Sequence, residues 1–336
     1  MLRSLDHRRV LVKAARLYYE DGLNQVQIAE RLRISRQKVQ RILQEALDQG
    51  VVQITVKPLI GLFSDLESAL EQQFGLVEAI VVETTTTGSI DAQATIAREV
   101  GVAAAEYLMR VIRPHDNIVL SVGNSLLGMV NVLPYSAQTD AAGVNVIQGL
   151  GGLGNPSQET HATQLVSRVA QALHANPMLL GAPAVAGTRE THDSFLRDPL
   201  VAHTLDTARH ADMMFVGIGA CNSDAVVLQD FWKVMHPSTL DELKRQGAVG
   251  SVNLHYFDEQ GRPFTSEFDE RIIGLTLTEI QRIRRVIGVA GGTSKREAIK
   301  AALAGKLVNI LVTDHLTAQY LLKSKSENSA RPIATR

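Results

Sequence analysis

The chain of 336 residues carries 34 Lys+Arg against 35 Asp+Glu, is 45% hydrophobic and has one cysteine, Cys221. That composition excludes a disordered chain, and a lone cysteine excludes an internal disulfide or a thiolate metal cluster, as suits a reducing cytoplasm. The charges are split: residues 1–57 hold 11 basic and 6 acidic side chains against 23 and 29 in the remainder, so a basic head and an acidic body are expected to meet different partners.

In the head, Val10, Leu11, Ala14, Leu17 and Tyr18 share one face of a helix over 8–21 that Gly22 ends. Asn24 can cap a short second helix with Ile28, Ala29 and Leu32 turned inward; Gln25 and Gln27 at its start are placed among the DNA contacts. Ser35 then caps a third helix, in which Val39, Ile42, Leu43, Ala46 and Leu47 form one buried stripe. Its other face and first turn present Arg36, Gln37, Lys38, Gln40 and Arg41, side chains that hydrogen-bond base edges and phosphates. Gly50 stops this helix, and "VVQITVK" alternates as a short β-wing would. A winged helix-turn-helix is therefore expected over 1–57, with 35–48 as recognition helix. The turn between the second and third helices wants a residue at positive φ, and Arg33 stands near it, costing ~1 kcal/mol.

After Pro58, residues 58–76 read as a linker helix ended by Gly75. Apolar strand candidates follow at 78–83, 117–123, 144–150, 178–182, 213–219, 285–292 and 309–314, with helix-length periodic stretches at 92–112, 158–173 and 295–304 among them. Near-continuous apolar strands separated by helices predict a mainly parallel, doubly wound α/β domain over 77–323. Segment 249–268 alternates around a "DEQGRP" turn and is expected as an antiparallel hairpin beside that sheet. The polar stretch 324–336 is expected to be a disordered tail. Nowhere does an uncharged run approach the ~20 residues that cross a bilayer, and 1–22 lacks the apolar core of a secretion signal. A cytoplasmic protein with no membrane partner is expected.

Ligands of open α/β sheets collect beyond the carboxyl ends of the strands. Four such ends are rich in glycine and polar residues: "SVGNS" (121–125), "QGLGGLGN" (148–155), "GIGACNSD" (217–224) and "AGGTSKREAI" (290–299). In the last, Gly291 and Gly292 can expose backbone N–H groups, Thr293 or Ser294 can cap a helix, and Lys295 sits in its first turn. A cation is disfavoured there by the helix dipole unless an anion occupies the N-terminus, so a bound phosphate or carboxylate is expected; a plain strand–helix turn with a solvated lysine is the alternative. "GLGGLG" (149–154) matches G-x-G-x-x-G, but the acidic residue a dinucleotide site wants about 20 positions on is missing from "LLGAPAVAG". "GGTSK" lacks the Walker A spacing, the histidines lack metal-ligand spacing, and no G-x-S-x-G elbow occurs. No cofactor or metal is expected. Asp224 and Asp314 are lone carboxylates, Asp314 placed to cap the last helix, and His161 could either reach the crevice or cover a helix surface.

Taken in order, "IAERLRISRQKVQRILQEALDQG", "GLGGLGN", "GAPAVAGTRE", "MMFVGIGA", "GAVGSVNLHYFD" and "RVIGVAGGTSKREAIKAALAGKLVNILVTD" resemble the SorC family of bacterial sugar-responsive transcription regulators over about residues 8–322. The resemblance implies a winged helix-turn-helix and an effector domain similar in fold to glucosamine-6-phosphate deaminase and ribose-5-phosphate isomerase. It implies homodimers or homotetramers on operator DNA, and a sugar or sugar phosphate that alters their binding. By the same resemblance Lys295, with Gly291, Gly292 and Ser294, holds an effector phosphate, Gly123, Asn124 and Ser125 belong to a loop reaching that ligand, and His161 lies near an effector contact. Gln148, Gly151, Gly152, Thr293 and Ser251 join this set by their places in the matching loops. Two departures bear on the ligand: Leu150 stands where some members carry an arginine for a second phosphate, and Ser251 stands where many carry an acid for sugar hydroxyls. No second phosphate is expected, and the effector is expected to be less hydroxylated or held elsewhere. The leading reading is a DNA-binding regulator, probed against a sugar-phosphate isomerase or deaminase and against a carbohydrate-binding protein whose head makes protein contacts.

Overall fold

The computed structural model describes residues 2–53, 62–84, 92–133, 141–153, 161–221 and 238–328. The expected wing beyond Gln53, the start of the linker, Gly154, Asn155, Asp224 and the tail from 329 lie outside these residues. The chain divides into two compact units, residues 1–58 and 59–336.

The first unit is three helices, α1 (Leu2–Tyr19), α2 (Gln25–Leu32) and α3 (Arg36–Asp48). Asn24 starts α2 with a capping box: its Oδ1 accepts the amides of Val26 and Gln27, and Gln27 Oε1 accepts the Asn24 amide at 2.9 Å. Arg33 ends α2 in the left-handed region, at φ 52°, ψ 46°, as the missing glycine demands. Ser35 Oγ then accepts the Lys38 amide and opens α3. Leu11, Ala14, Ala15 and Leu17 pack on Ile28 and on the α3 stripe of Val39, Ile42, Leu43 and Ala46. Tyr18, expected on the buried face, is exposed in the last turn of α1 and sits edge-on to Tyr19. A His7–Glu45 contact of 2.8 Å ties α1 to α3.

The second unit begins with α4 (Ser64–Phe74), stopped by Gly75 at φ 68°. Its seven-stranded sheet has the order β1-β10-β9-β5-β2-β3-β4 and is parallel throughout. The strands are β1 (Glu78–Val82), β2 (Asn117–Leu120), β3 (Asn145–Gln148), β4 (Asn176–Met178), β5 (Met213–Gly217), β9 (Arg285–Val289) and β10 (Ile310–Asp314). Alternate residues feed opposite faces. Ile118, Leu120, Phe215, Ile287 and Val312 face α5 (Ala92–Val111), α6 (Asn124–Val132) and α7 (Ala162–Leu173). Val119, Met214, Val216 and Leu311 face the other layer, which includes α4, α12 (Arg296–Ala304) and α13 (His315–Asn328). Both faces being covered is why the strands read as unbroken apolar runs. The described residues of the unit also include the helices α8 (Arg189–Arg197), α9 (Pro199–Arg209), α10 (Ser238–Arg245) and the short α11 (Leu277–Ile280). The helix α13 continues to Asn328, into the stretch expected as tail.

Helices α5 and α6 cross at glycines: a Cβ on Gly101 would lie 2.6 Å from the Gly128 carbonyl carbon. The fourth strand differs from expectation. It is Asn176–Met178 rather than 178–182, and Pro177 is tolerated because β4 is an edge strand.

A smaller antiparallel sheet, β6 (Gly219–Ala220), β7 (Gly250–Val252) and β8 (His255–Phe257), includes the expected hairpin. Its turn is not "DEQGRP" but Asn253–Leu254, both at positive φ (53° and 67°), the backbone of a two-residue hairpin loop. "DEQGRP" forms a second turn that returns Pro263 to Phe257. Asn253 is buried; its Nδ2 donates to the carbonyls of Gly149 (3.0 Å) and Leu275 (2.8 Å), and its Oδ1 accepts from Ser121 Oγ (2.9 Å). One side chain thus joins the ends of β2 and β3 to the hairpin. Asn253→Ala should destabilise the protein by about 2–4 kcal/mol, because it strands the Leu275 carbonyl and the Ser121 hydroxyl, leaves the Gly149 carbonyl only the Leu275 amide, and puts a Cβ residue without local hydrogen bonds at positive φ. Asn253→Gly should restore only the conformational part. Urea midpoints for both variants check this; near wild-type stability in the glycine variant would show that the three hydrogen bonds contribute little.

Candidate DNA-reading helix and effector crevice

The residues placed on the recognition helix are positioned by its cap. Arg36, Gln37, Lys38, Gln40 and Arg41 are exposed, and among the described residues their side chains have no hydrogen bond or ion pair. No acid occupies the first turn of α3, so its dipole adds to the positive field there. Ser35 and Gln27 differ from the others: each uses a side-chain oxygen to hold a helix start, so they shape the turn and Gln27 keeps only its amide NH2 to offer a phosphate. Gln25 is partly exposed. Arg31 and Arg33 are both exposed beside the same turn; the sequence marks Arg33 for its backbone only, although its charge in the turn is a signal too.

At the carboxyl edge of the large sheet, the chain turns one way from β2 to β3 and β4, and the other way from β5 to β9 and β10. The switch between β2 and β5 is where a crevice is expected. Three loops meet there. A Cβ on Gly123 would stand 3.9 Å from the Gly217 Cα, and a Cβ on Gly217 would stand 3.1 Å from the Val122 carbonyl. The strand β6, which follows β5, neighbours the 3-10 turn Thr293–Lys295 that leads into α12.

At this switch point Gly123 (φ 147°) begins α6 without a side-chain cap; Asn124 is exposed and Ser125 buried. The glycine turn after β9 departs from expectation. Gly292 was expected to offer its amide to an anion, but that amide donates to Asp314 Oδ2 (2.7 Å) and to Thr317 Oγ1 (3.1 Å). Gly291 has no room for a side chain because Asp314 occupies it, and at Gly292 the obstacle is Gln93. Gln93 Nε2 donates to the Gly291 carbonyl at 2.9 Å and its Oε1 accepts from Ser294 Oγ at 3.3 Å. Neither Thr293 nor Ser294 caps α12. The amides of Gly291, Thr293 and Ser294 have no acceptor among the described residues beyond their own turn. Lys295 is half-buried, and its ammonium has no ion pair or hydrogen bond among the described residues. Burial holds its pKa below the ordinary lysine value; a desolvated cation without an anion favours losing its proton.

The residues placed in the β3 loop form a separate, closed group. Gln148 is fully buried, donating to the Leu150 carbonyl (2.7 Å) and accepting from Thr163 Oγ1 and the Leu180 amide (both 3.3 Å). Gly151 and Gly152, expected as effector contacts, donate their amides to the carbonyls of Ile273 and Ala182, both at 2.8 Å. A backbone crossing with Pro183 explains the glycine at 151. His161 is buried, not on a helix surface; its Nδ1 accepts the Thr163 amide as the N-cap of α7, and its ring lies against Gly152. Burial lowers its pKa, so it is a neutral imidazole. Ser251 is buried beside Gly219 and hydrogen-bonded with Tyr256, whose own pKa burial raises. Sequence reading missed Gln93, Thr317 and Asn253, each of which acts on a partner distant in the chain. Asp314 was read as a helix cap, and its Oδ1 does accept the Thr317 amide at 2.9 Å; its grip on Gly292 was invisible. Among the described residues no group of His, Cys, Asp and Glu is placed to hold a metal, and no helix is long and apolar enough to cross a membrane.

Comparison with known proteins agrees with this architecture. A family described as a sugar-binding domain matches residues 60–323, and sigma-70 region 4 matches residues 6–49. The chain is 30% identical over 318 residues to the deoxyribonucleoside regulator of Bacillus subtilis, covering 94% of this chain and 98% of that one. It is 30% identical to the transcriptional regulator LsrR of Klebsiella pneumoniae over 95% of this chain and 94% of the relative. The crystal structure of the full-length sorbitol operon regulator SorC from Klebsiella pneumoniae superposes with a TM-score of 0.69 at 28% identity, over 94% of this chain and 98% of that one. These relatives are regulators rather than enzymes. With a helix-turn-helix head and a mainly parallel α/β sugar-binding body in one chain, the protein belongs to the SorC family of sugar-responsive transcriptional regulators.

Proposed function

We propose that the protein represses a carbohydrate-metabolism operon in the cytoplasm as a homodimer or homotetramer, and that a small phosphorylated sugar or polyol held at Thr293–Lys295 alters its grip on the operator. The head would comprise 1–57, the linker helix 58–76 and the effector domain 77–323. The observation that carries the effector site is Lys295: a desolvated ammonium without an anionic partner among the described residues, beside the unengaged amides of Thr293 and Ser294. Gly292 contributes position rather than a donor, because Asp314 holds its amide. Exposed Asn124 and the uncapped start of α6 approach the same crevice from β2. Gln148, Gly151 and Gly152 are hydrogen-bonded within the closed loop after β3 and hold that loop in place rather than offering donors to the effector. Signalling follows as a population shift, limited by how differently the effector binds two packings of the body.

Lys295→Ala should leave operator affinity unchanged and abolish the effector response; retained induction would remove the phosphate role. Effector affinity should also fall as pH rises, starting below the ordinary lysine range, because burial makes Lys295 deprotonate early. Titration calorimetry at several pH values checks this. Gln37→Ala should relax sequence preference by about 1–3 kcal/mol per lost base contact, whereas Arg41→Ala should weaken binding to all sequences and flatten the salt slope by about one. Binding to operator and scrambled duplexes across a salt series separates the two; unchanged specificity and an unaltered slope, respectively, would reassign them.

A further inference from the structure

The opposite, amino-terminal edge of the same sheet carries a second concentration of charge. Strands β5 and β9 are parallel neighbours with Met213 level with Arg285, so the residues just before them lie side by side. One turn brings Arg209, His210 and Ala211 from the end of α9; the other brings Arg282 and Arg284 from α11. With Glu279 these residues line an open hollow of about 420 Å³, a size suited to a small organic ligand.

The carboxylate in this hollow is already engaged. Glu279 Oε2 accepts the Thr276 amide and hydroxyl, both at 2.9 Å, and Oε1 accepts from Arg209 Nε at 2.6 Å. Those hydrogen bonds outweigh burial and hold its pKa below the usual glutamate value. Arg282 and Arg284 are exposed, and their side chains have no hydrogen bond or ion pair among the described residues. Three guanidiniums face one carboxylate, which leaves two positive charges uncompensated before His210 is considered. His210 directs Nδ1 to the Asp206 carbonyl. An adjoining hollow shares Arg284; its other charges, Arg113 and Arg285 against Asp116 and Asp212, balance one another. With Arg209 paired to Glu279, the excess is carried by Arg282 and Arg284.

Guanidinium groups recognise phosphate through paired N–H donors. We infer that the hollow between the amino ends of β5 and β9 binds the phosphate group of a small phosphorylated metabolite, as a second anion site distinct from Lys295. The charge of a phosphate monoester matches the two uncompensated guanidiniums, and the volume leaves room for the group it esterifies.

The test uses the full-length protein with Lys295→Ala, which silences the effector turn, and titrates inorganic phosphate by calorimetry at constant ionic strength. One phosphate should bind, and adding Arg282→Ala with Arg284→Ala should weaken it at least tenfold. Arg282→Lys with Arg284→Lys should keep the charge and lose most of the affinity, because the paired donors are gone; it also serves should the alanine variant fail to fold. Glycerol phosphate binding tighter than inorganic phosphate would identify an ester as the ligand, whereas equal or weaker binding would overturn the metabolite assignment. Phosphate affinity unchanged by the arginine substitutions, or an effect reproduced by chloride alone, would overturn the site. Failure of the Lys295 reading would instead appear as phosphate heat unaltered by Lys295→Ala in a chain already lacking both arginines.

Discussion

The buried carboxylate of Asp314 organises the carboxyl edge of the sheet at β9 and β10. At the end of β10 it accepts three hydrogen bonds, from the Gly292 amide, the Thr317 amide and the Thr317 hydroxyl. A buried carboxylate is tolerable only when its lone pairs are so met. By taking the Gly292 amide it fixes the turn after β9 to the strand beside it. The absence of side chains at 291 and 292 is the steric counterpart of that grip, with Asp314 and Gln93 filling the space. Lys295 follows three residues later in a turn whose path is thereby set, and its ammonium is left without a partner among the described residues. A satisfied acid beside an unsatisfied base at one turn suits the anion site proposed at Lys295, since no carboxylate is exposed there to repel the ligand.

The loops of the carboxyl edge divide by how fully they are bonded internally. After β3, Gln148, Gly151, Gly152 and His161 are committed to one another, to Pro183 and to the backbone of 182–184 and 273. After β2 and β9, the helix starts lack side-chain caps. Asn253 connects the two kinds, joining Ser121 to Gly149 through a single amide. A helix start with unmet N–H groups is a poor structural element and a good place for an anion.

What the sequence made legible is what neighbours in the chain decide. Asn24, Ser35 and Gly75 announced helix ends because a cap and its partner are a few residues apart. The parallel sheet followed from unbroken apolar runs, and Arg33 at positive φ followed from a turn with nothing else to fill it. The errors came where distant residues compete. Pro177 reads as a strand breaker until the strand proves to be an edge, which depends on sheet order. "DEQGRP" has stronger turn chemistry than Asn253–Leu254, yet the buried hydrogen bonds of Asn253 decide where the hairpin bends. Gly291 and Gly292 look like a phosphate cradle, and their first obligation is to Asp314, 22 residues from Gly292.

The sheet's pairing of its first strand with its last has a consequence for synthesis. Glu78 lies level with Ile310, and among the described residues β1 has no strand neighbour other than β10. A ribosome therefore releases the head, which has its own core, long before the body can close its sheet, and such non-local pairing is slow to form. A nascent or prematurely terminated chain would carry the duplex-reading helices without a finished sensor. Truncation of this chain therefore uncouples its two units in one direction only, leaving a head without its body.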